Sequence, residues 1–415
     1  MSEEFNLESK INKERKSNLE LLRIVCMILI IAHHCSVHGG SFAMEKMCAN
    51  KIISVALLPF GKICFDAFLI LSAWFLVEQN FKTERFLKIW LQTFFYSVIF
   101  SGVAAIFGTV FNIKLLISIL FPIIGNSHGY ASAYLAFYLC IPLLSLISRN
   151  MTKTQCKYTI GVLFVVEIAS QIIGFYDGYT QKLSSELILF LFIYFIALYI
   201  KKWPIGIMKS KGILIYIFCM CWVIVFGVRF ASIYIPQDAL NNFFINITAD
   251  ESSITSIIGG VALFGIFNLM NIKSNKVINF IAKSSFGILL IHDHNIFRYV
   301  LWNNIVECQK WYYSNYFVVY LVATVFSIFF VGVIIDSVRR VVIEKPLFNS
   351  DKVKTLCVRM DNLILFHEEN SSNQQQATVI DDKNKIKIYN WVILSCVLAT
   401  CLVITFIFIN LFVKM

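Results

Sequence analysis

The chain has 415 residues, of which 58% are hydrophobic and 15% are charged, a composition too apolar for an ordinary soluble domain. Its formal net charge of +11 does not indicate nucleic-acid binding, because the lysines and arginines cluster in short gaps between apolar runs and no basic motif of that class is present. The mixed-charge segment 1–18 lacks a signal-peptide pattern, so the first apolar run is expected to stay in the protein as a helix.

Apolar windows of about 19 residues predict ten membrane-spanning helices, each long enough to cross about 30 Å of hydrocarbon. The predicted spans are residues 20–38, 61–79, 89–110, 131–148, 158–176, 185–201, 212–234, 253–272, 278–299 and 315–337. The apolar stretch 115–124 is too short to cross. With Pro122 inside it and Gly125 after it, this stretch is predicted to be an interfacial or re-entrant segment.

The sequence therefore predicts an all-α polytopic membrane protein in four parts. They are a cytoplasmic N-terminal segment (1–18), a ten-helix membrane domain (19–348), a polar cytoplasmic linker (349–388) and one extra C-terminal transmembrane helix (389–415). Alternate gaps between the spans are rich in lysine and arginine, whereas the gap 234–252 has neither. The positive-inside rule then places the N-terminus and the basic gaps in the cytoplasm.

The first predicted span carries Arg23 near its start and His34 near its middle. Eleven residues turn a helix by about 20° beyond whole turns and advance it by about 16 Å, so the two side chains share a face. A charge in hydrocarbon costs about 3 kcal/mol or more, which favours a functional reason for its presence. An imidazole is also the side chain that exchanges a proton near pH 7. The alternative is a histidine that only bonds to a neighbouring helix.

A second candidate pair opens the third predicted span. Arg85 and Lys88 are three residues apart, so they share a helix face at the predicted cytoplasmic edge. Such a pair could bind phosphate groups. It could equally extend toward lipid headgroups without any ligand.

Two further patterns are polar residues inside apolar runs. His292 lies in the ninth predicted span and is followed by Asp293 and His294, which indicates either a wet internal cavity or a polar cluster that ties helices together. Tyrosines recur every four residues at 130, 134 and 138, either for packing and interface anchoring or as a platform for sugar rings. The cysteines form no Cys-x-x-Cys pair, so neither a structural metal nor a disulfide framework is expected.

In combination these motifs resemble the integral-membrane acyltransferase-3 family, which includes bacterial O-acetyltransferases of surface polysaccharides. The resemblance covers about residues 19–348 and rests on six segments: Arg23 with His34, the segment 65–75 that contains Ser72, Arg85 with Lys88, His128 with the tyrosines up to Pro142, the segment 286–292, and Glu344 with Pro346. Lys88 stands where the family has arginine, which keeps the charge but loses the bidentate fork.

The resemblance implies an acyltransferase of a bacterial plasma membrane that takes an acetyl group from cytoplasmic acetyl-CoA and uses no metal. The implied acceptor is a hydroxyl of a capsule or exopolysaccharide, or of its lipid-linked precursor. His34 would act as general base or transient acyl carrier with the help of Arg23, while Arg85 and Lys88 would bind CoA. The implied substrate-binding residues are Ser72, Tyr134, Tyr138 and His292.

Two alternatives remain open on the sequence. One is an acyltransferase for a lipid-linked or secreted small glycoconjugate. The other, from a different class, is a polysaccharide flippase or transporter without acyl transfer. Inverted repeats would favour a transporter, and no internal repeat is apparent in the chain.

Overall fold

A computed structural model describes residues 17–110, 112–121, 129–177, 182–235 and 239–364. The chain divides into two units, residues 1–358 and 359–415, and the described residues belong to the first unit apart from 359–364 at the end of the last helix. The helices are α1 (Ser17–Val37), α2 (Ala49–Leu76), α3 (Thr83–Ile106), α4 (Ile113–Leu120), α5 (Gly129–Leu139), α6 (Ile141–Asn150), α7 (Lys153–Asp177), α8 (Lys182–Lys202), α9 (Lys211–Ala231), α10 (Ala239–Ala249), α11 (Ile254–Asn268), α12 (Lys276–Ala282), α13 (Ser285–His292), α14 (Phe317–Arg339), α15 (Lys345–Asn349) and α16 (Asp351–Ile364). Short helical turns at 41–43, 206–209, 297–305, 308–311 and 340–344 complete the described secondary structure.

The all-α membrane class is confirmed. Among the described residues, six helical segments are long and apolar enough to cross a membrane, and α5 with α6, bent by 58° at their junction, would make a seventh. Helices α7 and α8, and the broken pair α12 and α13, lie where three other spans were predicted. The count of ten plus one stays a prediction.

Helix α2 lies at the centre of the bundle, where it packs against α1, α8, α9 and α11. Its 28 residues make a helix about 42 Å long, which exceeds the hydrocarbon thickness. The predicted span began at residue 61, whereas the helix begins about three turns earlier, at Ala49, and continues through Pro59. Packed neighbouring helices let a membrane helix tolerate an internal proline.

The outer surface of the bundle is apolar, as expected for a lipid-facing surface. Only three side chains of α9 are buried, and Val319, Ile334 and Val338 of α14 are exposed. Large exposed apolar side chains in such numbers are unfavourable in water, whereas they are compatible with lipid.

Helices α1 and α2 approach each other closely at His33 and Gly61. The Nδ1 atom of His33 lies 3.0 Å from the carbonyl oxygen of Leu58. A Cβ atom added to Gly61 would lie 2.1 Å from Cγ of His33. Only glycine fits there, and His33 therefore fills the space between the two helices.

The ninth predicted span is broken in the structure. Helix α12 ends at Ala282, and α13 starts at Ser285 and ends at His292, well before the predicted end at residue 299. The Nη2 atom of Arg340 donates a hydrogen bond of 2.8 Å to Oγ of Ser284 in the break. Irregular backbone at membrane depth is tolerated where it lines a cavity, and Lys283 in the break does line one.

Two further segments compare with the sequence predictions. The short apolar stretch is an eight-residue helix, α4, capped by Asn112, whose Oδ1 accepts the N–H of Leu115 at 2.8 Å; Pro122, Gly125 and His128 lie outside the described residues. The predicted polar linker begins with a helix, α16, which runs to Ile364. The rest of the linker and the predicted last transmembrane helix also lie outside the described residues.

Candidate active site

A basic cavity of about 590 Å³ opens between α1, α2, α3, α5, α13 and the end of α14. Seven of its lining residues are basic and one is acidic: Arg23, Arg85, Lys88, Lys283, Arg339, Arg340 and Lys345 against Glu344. Several of these cations are paired with acids that neutralise part of the charge. The cavity nevertheless keeps an excess of positive groups, which suits an anionic ligand.

Arg23 and Ser72 line the same cavity, from α1 and α2 respectively. The Nη1 atom of Arg23 lies 3.1 Å from a carboxylate oxygen of Glu20, one turn earlier, and its guanidinium carbon lies 5.4 Å from the ring centre of Phe75. The hydroxyl of Ser72 donates to the carbonyl oxygen of Phe68 at 2.9 Å. Both side chains are therefore held in place beside the cavity by their own neighbours.

Arg85, Lys88 and Tyr134 form one wall of the cavity. Arg85 donates to the hydroxyl of Tyr134 at 3.5 Å and lies 5.6 Å from the ring centre of Tyr138. The hydroxyl of Tyr138 itself donates to the carbonyl oxygen of Lys82 at 3.3 Å. Tyr134 and Tyr138 therefore contact Arg85 rather than the histidines. The amino group of Lys88 pairs with Glu84 at 2.5 Å.

Two arginines of the cavity, Arg339 and Arg340, belong to one of the basic gaps that predicted the membrane topology, and the sequence indicated no site there. Both pair with Asp336, which has no exposed surface: Nε of Arg339 at 3.0 Å and Nε of Arg340 at 3.2 Å. Gln92 and Tyr96 of α3 also donate to this carboxylate, each at 2.9 Å. The signal in the sequence was an acid followed three and four residues later by two arginines, a spacing that puts all three on one helix face.

Gly287 of α13 makes this arrangement possible. A Cβ atom at that position would lie 2.3 Å from Oδ1 of Asp336. The glycine lets α13 approach α14 closely enough for the buried carboxylate to reach α3. Asp336 therefore joins three elements around the cavity and orients two of its cations.

A histidine cluster lies toward the other end of α1. The ring of His34 is 5.1 Å, centre to centre, from that of His292 and 4.8 Å from that of His38. The Nε2 atom of His38 lies 3.3 Å from Oδ1 of Asp293. We define the histidine cluster as His34, His38, His292 and Asp293; the sequence had indicated polarity at Asp293 but no role for His38.

The orientation of His292 is set by a short contact between its Nδ1 and the carbonyl oxygen of Ile288, 2.6 Å away. A carbonyl accepts only, so Nδ1 carries the proton and Nε2 holds a lone pair. Nε2 of His292 and Nδ1 of His34 are buried and have no hydrogen-bond partner within the described ranges. Two neighbouring imidazoles thus each keep a buried ring nitrogen that is not used in a hydrogen bond within the described ranges.

The loop after α13 closes the histidine cluster on its far side. Tyr312 donates its hydroxyl to the carbonyl oxygen of Gly39, just after His38, and burial raises the pKa of this tyrosine to about 12. Nδ1 of His294 accepts the N–H of Phe297 at 3.1 Å and so caps the next helical turn. His294, like His33, therefore has a packing role.

Two helices connect the basic cavity with the histidine cluster. Helix α1 carries Arg23 at one and His34 at the other, about 16 Å apart along the axis. Helix α13 carries Phe286 in the cavity wall and His292 about 9 Å further on. The two sites are therefore held at a fixed separation by elements that contact each other.

The fold and the site define a polytopic membrane protein with a basic cavity and a histidine cluster within a helical bundle. A family model described as an acyltransferase domain matches residues 16–336. The chain therefore belongs to the acyltransferase-3 family and is an acyltransferase. No curated protein and no solved structure matches the chain significantly.

Proposed function

We propose that this acyltransferase moves an acetyl group from cytoplasmic acetyl-CoA to a hydroxyl of a cell-surface polysaccharide, such as a capsule or exopolysaccharide. The observation that carries the proposal is the pairing of a basic cavity with a largely half-buried histidine cluster on the same two helices, α1 and α13. Such an arrangement suits a donor whose anionic part binds in the cavity and whose narrow arm carries the acyl group toward the histidine cluster.

The donor side of the proposal rests on charge. CoA carries several phosphates, and guanidinium and ammonium groups bind phosphate by charge-assisted hydrogen bonds. Arg85 and Lys88 line the cavity together with Arg339 and Arg340. The starts of α1 and α3 and the end of α14 all fall on the cytoplasmic side in the topology that the positive-inside rule predicts, which is where acetyl-CoA is available.

The transfer step needs a base, because an alcohol is a poor nucleophile near pH 7. In the proposed step the acceptor oxygen attacks the thioester carbonyl, a C–O bond forms and the C–S bond breaks. His34 takes the hydroxyl proton and returns it to the departing thiolate, so CoA leaves as a thiol. Arg23, about 16 Å away along α1, would hold the donor arm in the cavity or polarise a hydrogen-bond network that extends toward the reacting group.

A variant of the same mechanism makes His34 a transient acyl carrier. The acetyl group would pass first to an imidazole nitrogen and then to the sugar, with CoA released between the two steps. His292 would orient the acceptor beside His34. Ser72, Tyr134 and Tyr138 would contact the donor arm, because they lie beside Arg23 and Arg85.

The acceptor is the least constrained part of the proposal. A lipid-linked or secreted small glycoconjugate is the second candidate, since it would present the same hydroxyl chemistry. Membership of an acyltransferase family favours either acceptor over a flippase without acyl transfer.

The experiment compares the surface polysaccharide of cells with the protein and cells without it by proton NMR. The proposal expects O-acetyl resonances only in the first, at equal polymer yield. Labelled acetyl-CoA supplied to inverted membrane vesicles should label the polymer. Unchanged acetylation without the protein, together with label in a small lipid-extractable product, would favour the second candidate.

A further inference from the structure

We propose that the histidine cluster binds a divalent transition-metal ion such as Zn²⁺, and that the bound ion switches acyl transfer off. Three of its members, His34, His38 and Asp293, each offer a ligand atom, and these atoms all lie within 4.8 Å of one another. Metal binding stands on the geometry alone. The inhibitory effect rests on the proposed function, because it requires His34 to be the proton or acyl acceptor.

The spacing of the ligand atoms suits a tetrahedral ion. Metal bonds of 2.0–2.1 Å at tetrahedral angles place neighbouring ligand atoms about 3.3 Å apart. Nε2 of His38 and Oδ1 of Asp293 are already 3.3 Å apart. The amide of His38 donates to the carbonyl of His34 at 2.8 Å, so the two imidazoles project from successive turns on one face of α1. A rotation of the His34 ring would complete the triangle.

His292 supplies a fourth donor of the correct kind. Its Nδ1 is hydrogen-bonded to the carbonyl of Ile288. Most metal-binding histidines donate one ring N–H in this way, which orients the ring and leaves the other nitrogen available to the metal. The bare Nε2 has no exposed surface and no hydrogen-bond partner within the described segments. Its ring lies 5.1 Å from that of His34. This unused buried lone pair is an observation independent of the His34, His38 and Asp293 triangle.

The donor set selects the class of ion. Three imidazoles and one carboxylate suit zinc, cobalt, nickel or copper, whereas Mg²⁺ and Ca²⁺ take six or more oxygens. Among the described residues, Arg298 contacts the same carboxylate oxygen, with Nη1 3.5 Å from Oδ1 of Asp293. A metal bond at Oδ1 would replace this long contact, which needs a shift of the Arg298 side chain but no change of fold.

Occupancy and catalysis compete for the same lone pair. A metal ion bound to His34 takes the electron pair that would otherwise accept the hydroxyl proton or the acetyl group. Imidazole binds metal through an unprotonated nitrogen, so the ion occupies the position on His34 to which the hydroxyl proton or the acetyl group would move. The loaded site is therefore an inactive site, and removal of the metal restores it.

The test uses the full chain in lipid nanodiscs, purified through a tag without histidine, and Co²⁺ as a spectroscopic probe of tetrahedral sites. We expect the wild-type chain to bind a single Co²⁺ with visible d–d absorption that Zn²⁺ abolishes by displacement. His38→Gln, which lies outside the proposed acyl-transfer residues, should weaken Co²⁺ binding at least about tenfold. Lys310→Gln, at an exposed position paired with Glu307, serves as the control and should bind like wild type.

The activity arm adds Zn²⁺ to the acetyl-transfer assay. Wild-type transfer should fall and recover with chelator, whereas the transfer that His38→Gln retains, whatever its level without metal, should resist Zn²⁺. Absence of saturable Co²⁺ binding, or equal binding by wild type and His38→Gln, overturns the metal site. Bound Co²⁺ with transfer undiminished overturns the inhibition, whereas bound Co²⁺ in a chain that never transfers acetyl supports the site and rejects the proposed function.

Discussion

His34 and His292, which lie near opposite ends of the matched domain, bring their rings to 5.1 Å of each other inside the bundle. Neither imidazole is surrounded by water, since His292 is fully buried and Nδ1 of His34 is buried too. Two adjacent proton acceptors in a low-dielectric interior are expensive to maintain. This relationship, rather than either histidine alone, locates the reaction in our proposal.

Replacement of His34 tests the proposed base directly. His34→Ala should lower the rate of acetyl transfer by about two to four orders of magnitude, the typical contribution of a positioned acid–base group. The O-acetyl content of the polymer should fall as a result. NMR of the polymer and initial rates with labelled acetyl-CoA measure the effect. Cys35→Ala, at the next position of the same helix, is the matched control and should transfer normally. Equal transfer by His34→Ala at equal protein level would contradict the assignment.

The basic cavity predicts a separable effect on the donor. The double variant Arg85→Ala and Lys88→Ala should raise KM for acetyl-CoA by about tenfold or more, because each lost hydrogen bond between charged groups is worth about 1.5–3 kcal/mol. The kcat should change less, since neither residue is placed at the thioester. Steady-state kinetics at varied acetyl-CoA measures both constants.

The control for the cavity variant is Lys310→Ala, which removes an exposed cation paired with Glu307 at 2.6 Å. It should leave KM for acetyl-CoA unaltered. An unchanged acetyl-CoA dependence of the double variant would make Arg85 and Lys88 determinants of topology only.

The buried carboxylate of Asp336 predicts a loss of stability. Asp336→Ala removes the partner of Arg339 at 3.0 Å and leaves it paired with Glu344 at 2.9 Å, so the loss should approach the lower end of the about 3–5 kcal/mol that breaking a buried pair costs. The midpoint of thermal unfolding in detergent should fall clearly, and KM for acetyl-CoA should rise as Arg340 loses its orientation. Asp351→Ala, on the exposed start of α16, should shift neither; a stable Asp336→Ala protein with normal KM would refute the role.

The contact between His33 and Gly61 predicts coupled substitutions. Gly61→Ala places a methyl group where the His33 ring lies and should destabilise the protein by about 1–3 kcal/mol, as overpacking does. His33→Ala alone should destabilise it by opening a void. The double variant should lose less stability than the two single variants lose together, because the methyl group of the alanine fills part of the space that the His33 ring leaves. Simple additivity of the unfolding midpoints would show that the two residues do not pack against each other.

The sequence predicted the class of fold because the signal is local. Runs of apolar residues long enough to cross hydrocarbon and cations confined to the gaps require no knowledge of neighbours. The same local argument placed Arg23 and His34 on one helix face, and spacing alone paired Arg85 with Lys88. The local argument did not predict that α2 begins before residue 61 and stays helical through Pro59, where neighbouring helices pack against it. It also did not predict the break at Ser284, because hydropathy does not show that the segment lines a cavity.

The sequence by itself therefore determined that the chain is a bundle of membrane helices and that Arg23 and His34 of the first helix are candidate functional residues. Only the tertiary structure decided which residues meet them: His292, His38 and Asp293 around His34, and Tyr134, Arg339 and Arg340 around the cavity. Those partners come from helices distant in the chain, and their contacts depend on helix approach at Gly61 and Gly287. Helix periodicity relates residues within a few turns, so it carries no information about such distances between helices.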